Sequence, residues 1–543
     1  MRVRFVTKSK NSWLKLPHCW SRPNPMIRAA LITACTLLAL GGCDRAADGD
    51  GDSTLRMAFV NDDGASLVAD DSLENAAARA MHIGLTTLEP SGRVVPSLAL
   101  SWRVSDDGLT YVFKLREAYW ADGRRLTSGD VVAVMRRIVS PGSGNPLRDE
   151  LMMIENAALI TANRRPARML GVSDPRPDTV VITLAKPEPA LLQLLADPAA
   201  AIARAGKAPP ASGAFTKADD AGDADGTLHL VKNSAYYAAD TVSLAGAILS
   251  RADAEGAIRR FNAGELDIVS GGRLTGLRAA RTSVDSQALR LEPTWGLYFY
   301  LARTGSGPLA DVRVRRALAM SFDRAGVLSR LFGVAGLQPA YSALPPTLPD
   351  AYAGSAGDWA GWSADVRESE AVRLLAEAGY TFNQPLTLSV AIPHGREHAD
   401  LLAAISNSWG AIGVRVKAYA RGPLSHRRAI EKGDFDLAAV ERIARAPVAD
   451  TFLQPFTCAV RLGGYCNPAV DQLLADAAAE DDPGTRIQLQ RRANRLISED
   501  APLIAVLSPI RWSLVSPRVT GWENNVAGAH PLSGLAMSGT KEE

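Results

Sequence analysis

Between residues 367 and 440 helix and strand signals alternate without a break, and this rhythm constrains the fold more than any other feature of the chain. A helical run over 367–378 stops at Gly379. Leu386, Leu388, Val390 and Ile392 then alternate with a period of two, as a strand with one buried face requires. A second helix over 397–409, a strand over 414–419 and a buried strand over 434–440 (DFDLAAV) continue the pattern. Helix and strand alternating in this order imply an α/β architecture with a mostly parallel or mixed sheet.

Upstream, the segments SWRV and TYVFKL flank the turn residues Asp107 and Gly108, and Tyr111, Phe113 and Leu115 alternate on one face, which predicts a β-hairpin. Trp120 to Gly123 makes the next turn. Thr127 and Asp130 have the spacing of a capping box ahead of the apolar-periodic VVAVMRRIV, so a helix starts there. Asp311 similarly caps a helical run that reaches Gly333. In it Val314, Ala317, Leu318 and Phe322 recur on one face, and the Arg-rich opposite face is expected to be solvated. The stretch 343–362 is dense in Pro, Gly and Ala and reads as an ordered loop. With 543 residues, 47% of them hydrophobic, the chain can bury enough surface for at least two lobes.

The first 42 residues carry seven Lys and Arg and no Asp or Glu, then run apolar from Ala29 to Leu40. Twelve apolar residues are too few for a membrane-spanning helix, which needs roughly 20, so this is an export signal, with Met1 or Met26 as its start. The run ends in Leu40-Gly41-Gly42-Cys43, the pattern of a lipobox, which makes Cys43 the expected lipidation site and first mature residue. Polar, acidic and Gly-rich residues 43–54 then read as a flexible tether. Cys19 and Cys35 leave with the signal. Cys458 and Cys466 remain, and export to an oxidising compartment permits either a disulfide or two buried thiols. Removing seven positive charges takes the formal net charge from +2 to −5, which makes nucleic acid an unsuitable partner. The chain lacks the GxSxG, HExxH and Gly-rich phosphate-loop patterns of common enzyme classes, so no catalytic residue, cofactor or metal is expected. His394 and His398 stand four apart, but no third ligand of suitable spacing joins them.

The segment LALSWRVSDDGLTYVFKLREAYWADGRRLTSGDVV at 98–132 resembles the strand, DG turn, strand, Trp-x-Asp-Gly and Thr-x-x-Asp-Val pattern of the family 5 extracellular solute-binding proteins, the receptors of oligopeptide, dipeptide and nickel ABC importers. Further blocks follow in that family's order: FNAGELDI at 261–268, ADVRVRRALAMSFDRAGV at 310–327, AVRLLAEAGY at 371–380, GDFDLAAV at 433–440, YCNPAVDQLLADA at 465–477 and ISEDAPLIAVL at 497–507. The resemblance implies a two-lobed periplasmic-binding-protein fold of the large, peptide-binding type. Lobe 1 would comprise 55–282 plus 503–543, with an extra subdomain at about 91–209, and lobe 2 would comprise 283–502. It also implies a monomer that holds a solute, most simply a short peptide, between the lobes and passes it to a permease and ATPase complex. The place would be the periplasm or the outer face of the cytoplasmic membrane. Other roles on the same fold are a receptor for a non-peptide, anionic solute, a sensor or a chaperone.

Peptide-binding relatives carry an acid shortly after the GDFD strand to pair with the peptide ammonium. That position here is Arg445, and a nearby aromatic position is Arg442. Both are expected either to attract a carboxylate or phosphate, or to lie solvated or paired with Glu441 and Asp450. Trp295 and Tyr298, just past the expected first crossing between lobes, are candidates to wall the cleft. A cysteine pair in some dipeptide-binding relatives matches Cys458 and Cys466, which implies a disulfide that pins a loop beside the cleft.

Overall fold

Leu55, Met57, Ala58 and Phe59 are all buried in the strand Thr54–Val60. Burial of neighbouring residues on both faces is the mark of a central strand covered on each side. This strand runs parallel to both its neighbours, Gly246–Ala252 and Ile268–Gly272. They stand at the middle of a seven-stranded sheet in the order Leu289–Pro293, Ile510–Val515, Ile268–Gly272, Thr54–Val60, Gly246–Ala252, Leu228–Lys232, Phe215–Lys217. The computed structural model describes residues 53–61, 72–206, 209–218, 226–334, 336–353 and 356–538. The expected export signal, Cys19, Cys35, Cys43 and most of the expected tether lie outside them. Thr54, assigned to the tether from sequence, already pairs with Gly246 as the first residue of its strand.

The second sheet has six strands, in the order Gln338–Pro339, Leu503–Ser508, Gly296–Ala302, Leu437–Ile443, Leu386–Pro393, Val414–Arg421. Leu386–Pro393 is parallel to both Val414–Arg421 and Leu437–Ile443, whereas Gly296–Ala302 is antiparallel to its neighbours. The mixed sheet follows from the helices Arg396–Ala411 and Pro423–Lys432, each long enough to return the chain for a parallel pairing. The chain passes from the first sheet to the second through Thr294 and Trp295, and back through Pro509. The two crossings lie side by side: Thr294 Oγ1 donates to the Pro509 carbonyl at 2.7 Å, and Ser508 Oγ to the Gly296 carbonyl at 2.9 Å.

A third, four-stranded antiparallel sheet holds the expected hairpin, Ala99–Val104 with Thr110–Leu115, beside Thr179–Thr183 and Val172–Arg176. Tyr111, Phe113 and Leu115 face its core, packed with a fully buried Trp120. The helix Ser128–Ile138 begins at Thr127 as expected, with Asp130 Oδ2 accepting from the Thr127 backbone N–H at 2.9 Å.

Three expectations need correction. The run after Asp311 is two helices, Val312–Met320 and Arg324–Leu331, because Asp323 acts as a second N-cap, accepting from Gly326 N at 3.1 Å. Its arginines are not uniformly solvated. Arg315 is buried and donates to the carbonyls of Asp500, Leu309 and Ala310. Arg324, 1% exposed, donates to the carbonyls of Ala505 and Ala319 and lies against the rings of Phe322, Tyr341 and Trp359. In addition, the strand expected at 434–440 is displaced to 437–443, since the Asp436 carboxylate takes the Ser389 N–H at 2.8 Å.

Candidate functional site

Strand alternation decides which way the candidate residues point. Leu297 pairs with Arg442 and Tyr298 with Glu441 across the antiparallel strands Gly296–Ala302 and Leu437–Ile443. Directly opposed residues share a face and successive residues alternate, so Arg442 lies on the face of Leu297, while Tyr298 and Glu441 lie on the other. Trp295, Arg442 and Arg445 are thereby brought together at one end of the sheet, where Ala444 N donates to the Trp295 carbonyl at 2.8 Å. Tyr298 is separated from them. It is fully buried in the core, its hydroxyl is 2.9 Å from His398 Nδ1, and its ring stacks on that imidazole. His398 is thus held by a tyrosine, while His394 is exposed.

The arginines meet carboxylates that sequence reading did not pair with them. Arg445 Nη1 lies 2.8 Å from Asp197 Oδ2, with both side chains under a tenth exposed. Asp197 caps a single turn at Pro198–Ala200, and its other oxygen accepts from Ala199 N at 2.8 Å. Glu441 takes Arg273 Nη1 at 2.7 Å, again with little exposure on either side. Asp450 accepts from Gln490 Nε2 at 2.7 Å. Arg442 donates to the Thr451 carbonyl at 3.2 Å. Burial pulls its pKa down to about 10, against the favourable pull of Glu150.

These contacts join distant parts of the chain. Arg273 follows a strand of the seven-stranded sheet and Glu441 belongs to the six-stranded one, while Asp197 comes from the unit built on the third sheet. The same unit reaches the second sheet's side through the Pro187 carbonyl, which accepts from Arg486 Nη1 at 3.0 Å. Beside it Tyr352 donates to Gln490 Oε1 at 3.0 Å, with its hydroxyl pKa pushed up to about 12 by burial; burial also raises the neighbouring Glu188 carboxyl. Ala446 packs into the core of the third-sheet unit. The arrangement is a closed interface with charges of both signs, in which each polar contact is stronger than it would be in open water.

Cys458 and Cys466 are joined by a disulfide. It does not sit beside this site. The loop it closes docks at the opposite end of the Gly296–Ala302 strand, where Gly463 accepts from Thr304 N at 2.8 Å. A Cβ at Gly463 would lie 2.4 Å from the Ala302 carbonyl, and φ there is +66°, so glycine is required for that close approach. Seven residues of strand, at about 3.3 Å each, separate the two ends.

Three sheets, two adjacent crossings and a charged interface between the halves describe a two-lobed binding protein. The family model for bacterial extracellular solute-binding proteins, family 5 Middle, matches residues 93–462, and the chain belongs to that family, whose members bind solutes and are not enzymes. The chain is 28% identical to the periplasmic oligopeptide-binding protein OppA of Escherichia coli over 84% of its own length and 86% of the relative's. It is 27% identical to the periplasmic murein peptide-binding protein MppA of the same organism, over 82% of this chain and 86% of that one. Its fold matches the crystal structure of Haemophilus influenzae OppA complexed with RPPGFSPFR at a TM-score of 0.77, covering 90% of this chain and 99% of that one at 23% identity.

Proposed function

We propose that this chain is the receptor of an ABC importer, that it takes a short peptide between its lobes in the periplasm, and that it hands the peptide to a membrane permease. Family membership and relatives named for oligopeptides and murein peptides support this reading. We take lobe 1 as 55–293 with 510–538 and lobe 2 as 296–508, hinged at the paired crossings, with a third-sheet subdomain at about 91–209. The first crossing lies 11 residues (282 to 293) and the second 7 residues (503 to 510) beyond those that the resemblance alone implies. A diacylglyceryl group on Cys43 would anchor a monomer to the membrane surface.

One observation carries the choice of a peptide with free ends. The arginines at the end of the second sheet, Arg442 and Arg445, face carboxylates of the subdomain, Glu150 and Asp197. A peptide brings one ammonium and one carboxylate, so it can take over both halves of such a pair when it enters. The polarity is the reverse of one in which an acid after the GDFD strand holds the ammonium. Trp295, half-buried next to Arg442, would cover the apolar part of the ligand.

Thermal shift against short peptides, the same peptides acetylated or amidated at their ends, anionic solutes and sugars tests this. Free-ended peptides should stabilise the protein by about 2.7 kcal/mol at a hundred times their dissociation constant, and blocking either end should weaken the effect. Stabilisation by anions alone would transfer the assignment to an anionic solute, and indifference to every peptide would sink it.

A further inference from the structure

A second charged pocket lies away from the peptide site. It is a half-open cavity of about 400 Å³ lined by Leu277, Arg278, Arg281, Arg330, Phe332 and Asp400, among others. Arg278 and Arg281 stand on the helix Leu277–Ser283, which follows the first sheet's Ile268–Gly272 strand; Arg330 ends the helix Arg324–Leu331 in the second lobe. Three guanidinium groups thus surround a space that has one carboxylate. That carboxylate, Asp400, is already engaged by Arg278 Nη2 at 2.8 Å and lies 3.8 Å from Arg396 on the rim.

Arg281 donates to the Phe332 carbonyl, and neither Arg281 nor Arg330 forms an ion pair among the described residues. Three arginines and one aspartate give the lining a formal charge of +2 at pH 7. Planar guanidinium forks from two separate helices match a tetrahedral oxyanion better than a single carboxylate, because each fork presents two parallel N–H donors. Leu277, Leu331 and Phe332 supply apolar walls, which raise the strength of such contacts over those on an open surface.

We propose that this pocket binds a phosphate group, and that because its arginines come from both lobes the bound anion favours the closed arrangement. The second half of this statement rests on the two-lobe reading above. The ligand is either free phosphate or the phosphodiester of a lipid headgroup, which share the same recognition chemistry.

Isothermal titration of the full chain with inorganic phosphate and, separately, dimethyl phosphate, at constant ionic strength balanced with chloride, distinguishes the two sources. Heat with phosphate alone assigns the free anion, and heat with the diester assigns the headgroup. The double variant Arg281→Ala, Arg330→Ala should lose at least tenfold in affinity, whereas Arg281→Lys, Arg330→Lys, which keeps both charges and guards against a folding defect, should lose less. Absence of heat with both ligands, or equal affinity in wild type and the Ala variant, overturns the site. X-ray scattering of the empty protein should show a smaller radius of gyration with phosphate. Binding without contraction overturns the bridging role and leaves the peptide assignment, read by its own thermal shift, untouched.

Discussion

At the scale of single residues, the fold places ionisable groups where their surroundings, not their type, decide their behaviour. Arg324 and Arg315 sit on a helical stretch whose sequence reads as a solvated basic face, yet both are buried because backbone carbonyls at the ends of neighbouring elements need donors. Nothing in local spacing announces those carbonyls, since they come from Asp500 and Ala505, far along the chain. His82 makes the same point with a measurable consequence. Burial pulls its imidazole from the ordinary 6.5 down to about 4. The unfolded chain therefore binds a proton that the folded chain refuses between those values, so stability is full above pH 6.5 and falls as the pH drops toward 4. With its partial exposure to solvent, the loss is on the order of 1 to 2 kcal/mol. Urea unfolding at pH 7 and pH 4.5 of the wild type and of His82→Gln should show a smaller acid loss in the variant; equal losses would remove His82 from the account.

Elements were legible where pattern and boundary residues agree. The hairpin Ala99–Val104 with Thr110–Leu115 and the helix begun by Thr127 follow directly from period-two alternation, a DG turn and a capping box, all local devices. Where a second boundary signal lies inside a periodic run, the reading failed: Asp323 breaks the run from Val312 to Leu331 into two helices, although its apolar spacing is continuous. The disulfide between Cys458 and Cys466 was legible as a pairing but not as a position. Its loop packs against Ala302 and Thr304, at the strand end remote from Trp295 and Arg442. Replacing both cysteines by serine should therefore cost about 2 kcal/mol of stability from the closed-loop constraint, measured by denaturant unfolding, and leave peptide affinity unchanged within a factor of two. A large loss of affinity with the fold intact would place the loop back at the cleft.

On the scale of the whole molecule, two ion pairs, Arg445 with Asp197 and Arg273 with Glu441, join distant parts of the chain, and on the two-lobe boundaries proposed above they tie the lobes together. Removing one partner of a buried pair leaves an uncompensated charge, at a cost of about 3 kcal/mol or more. In a hinged protein that cost can be relieved by opening, which returns the charge to water. Asp197→Asn should accordingly enlarge the radius of gyration of the empty protein in X-ray scattering more than it lowers the unfolding midpoint. An unchanged radius would show that other contacts hold the lobes closed.

By itself the sequence determined the alternation of helix and strand, the hairpin and caps, and the membership of a solute-binding family. Each of these is written in neighbouring residues or in motif blocks in a set order. What only the tertiary structure decided is who faces whom: that Tyr298 turns into the core while Arg442, one pairing along the opposite strand and on the other face, turns toward the subdomain, and that Arg445 meets the carboxylate of Asp197. Asp197 and Arg445 are 248 positions apart. Their contact depends on how two lobes close on each other, and no local periodicity carries that information.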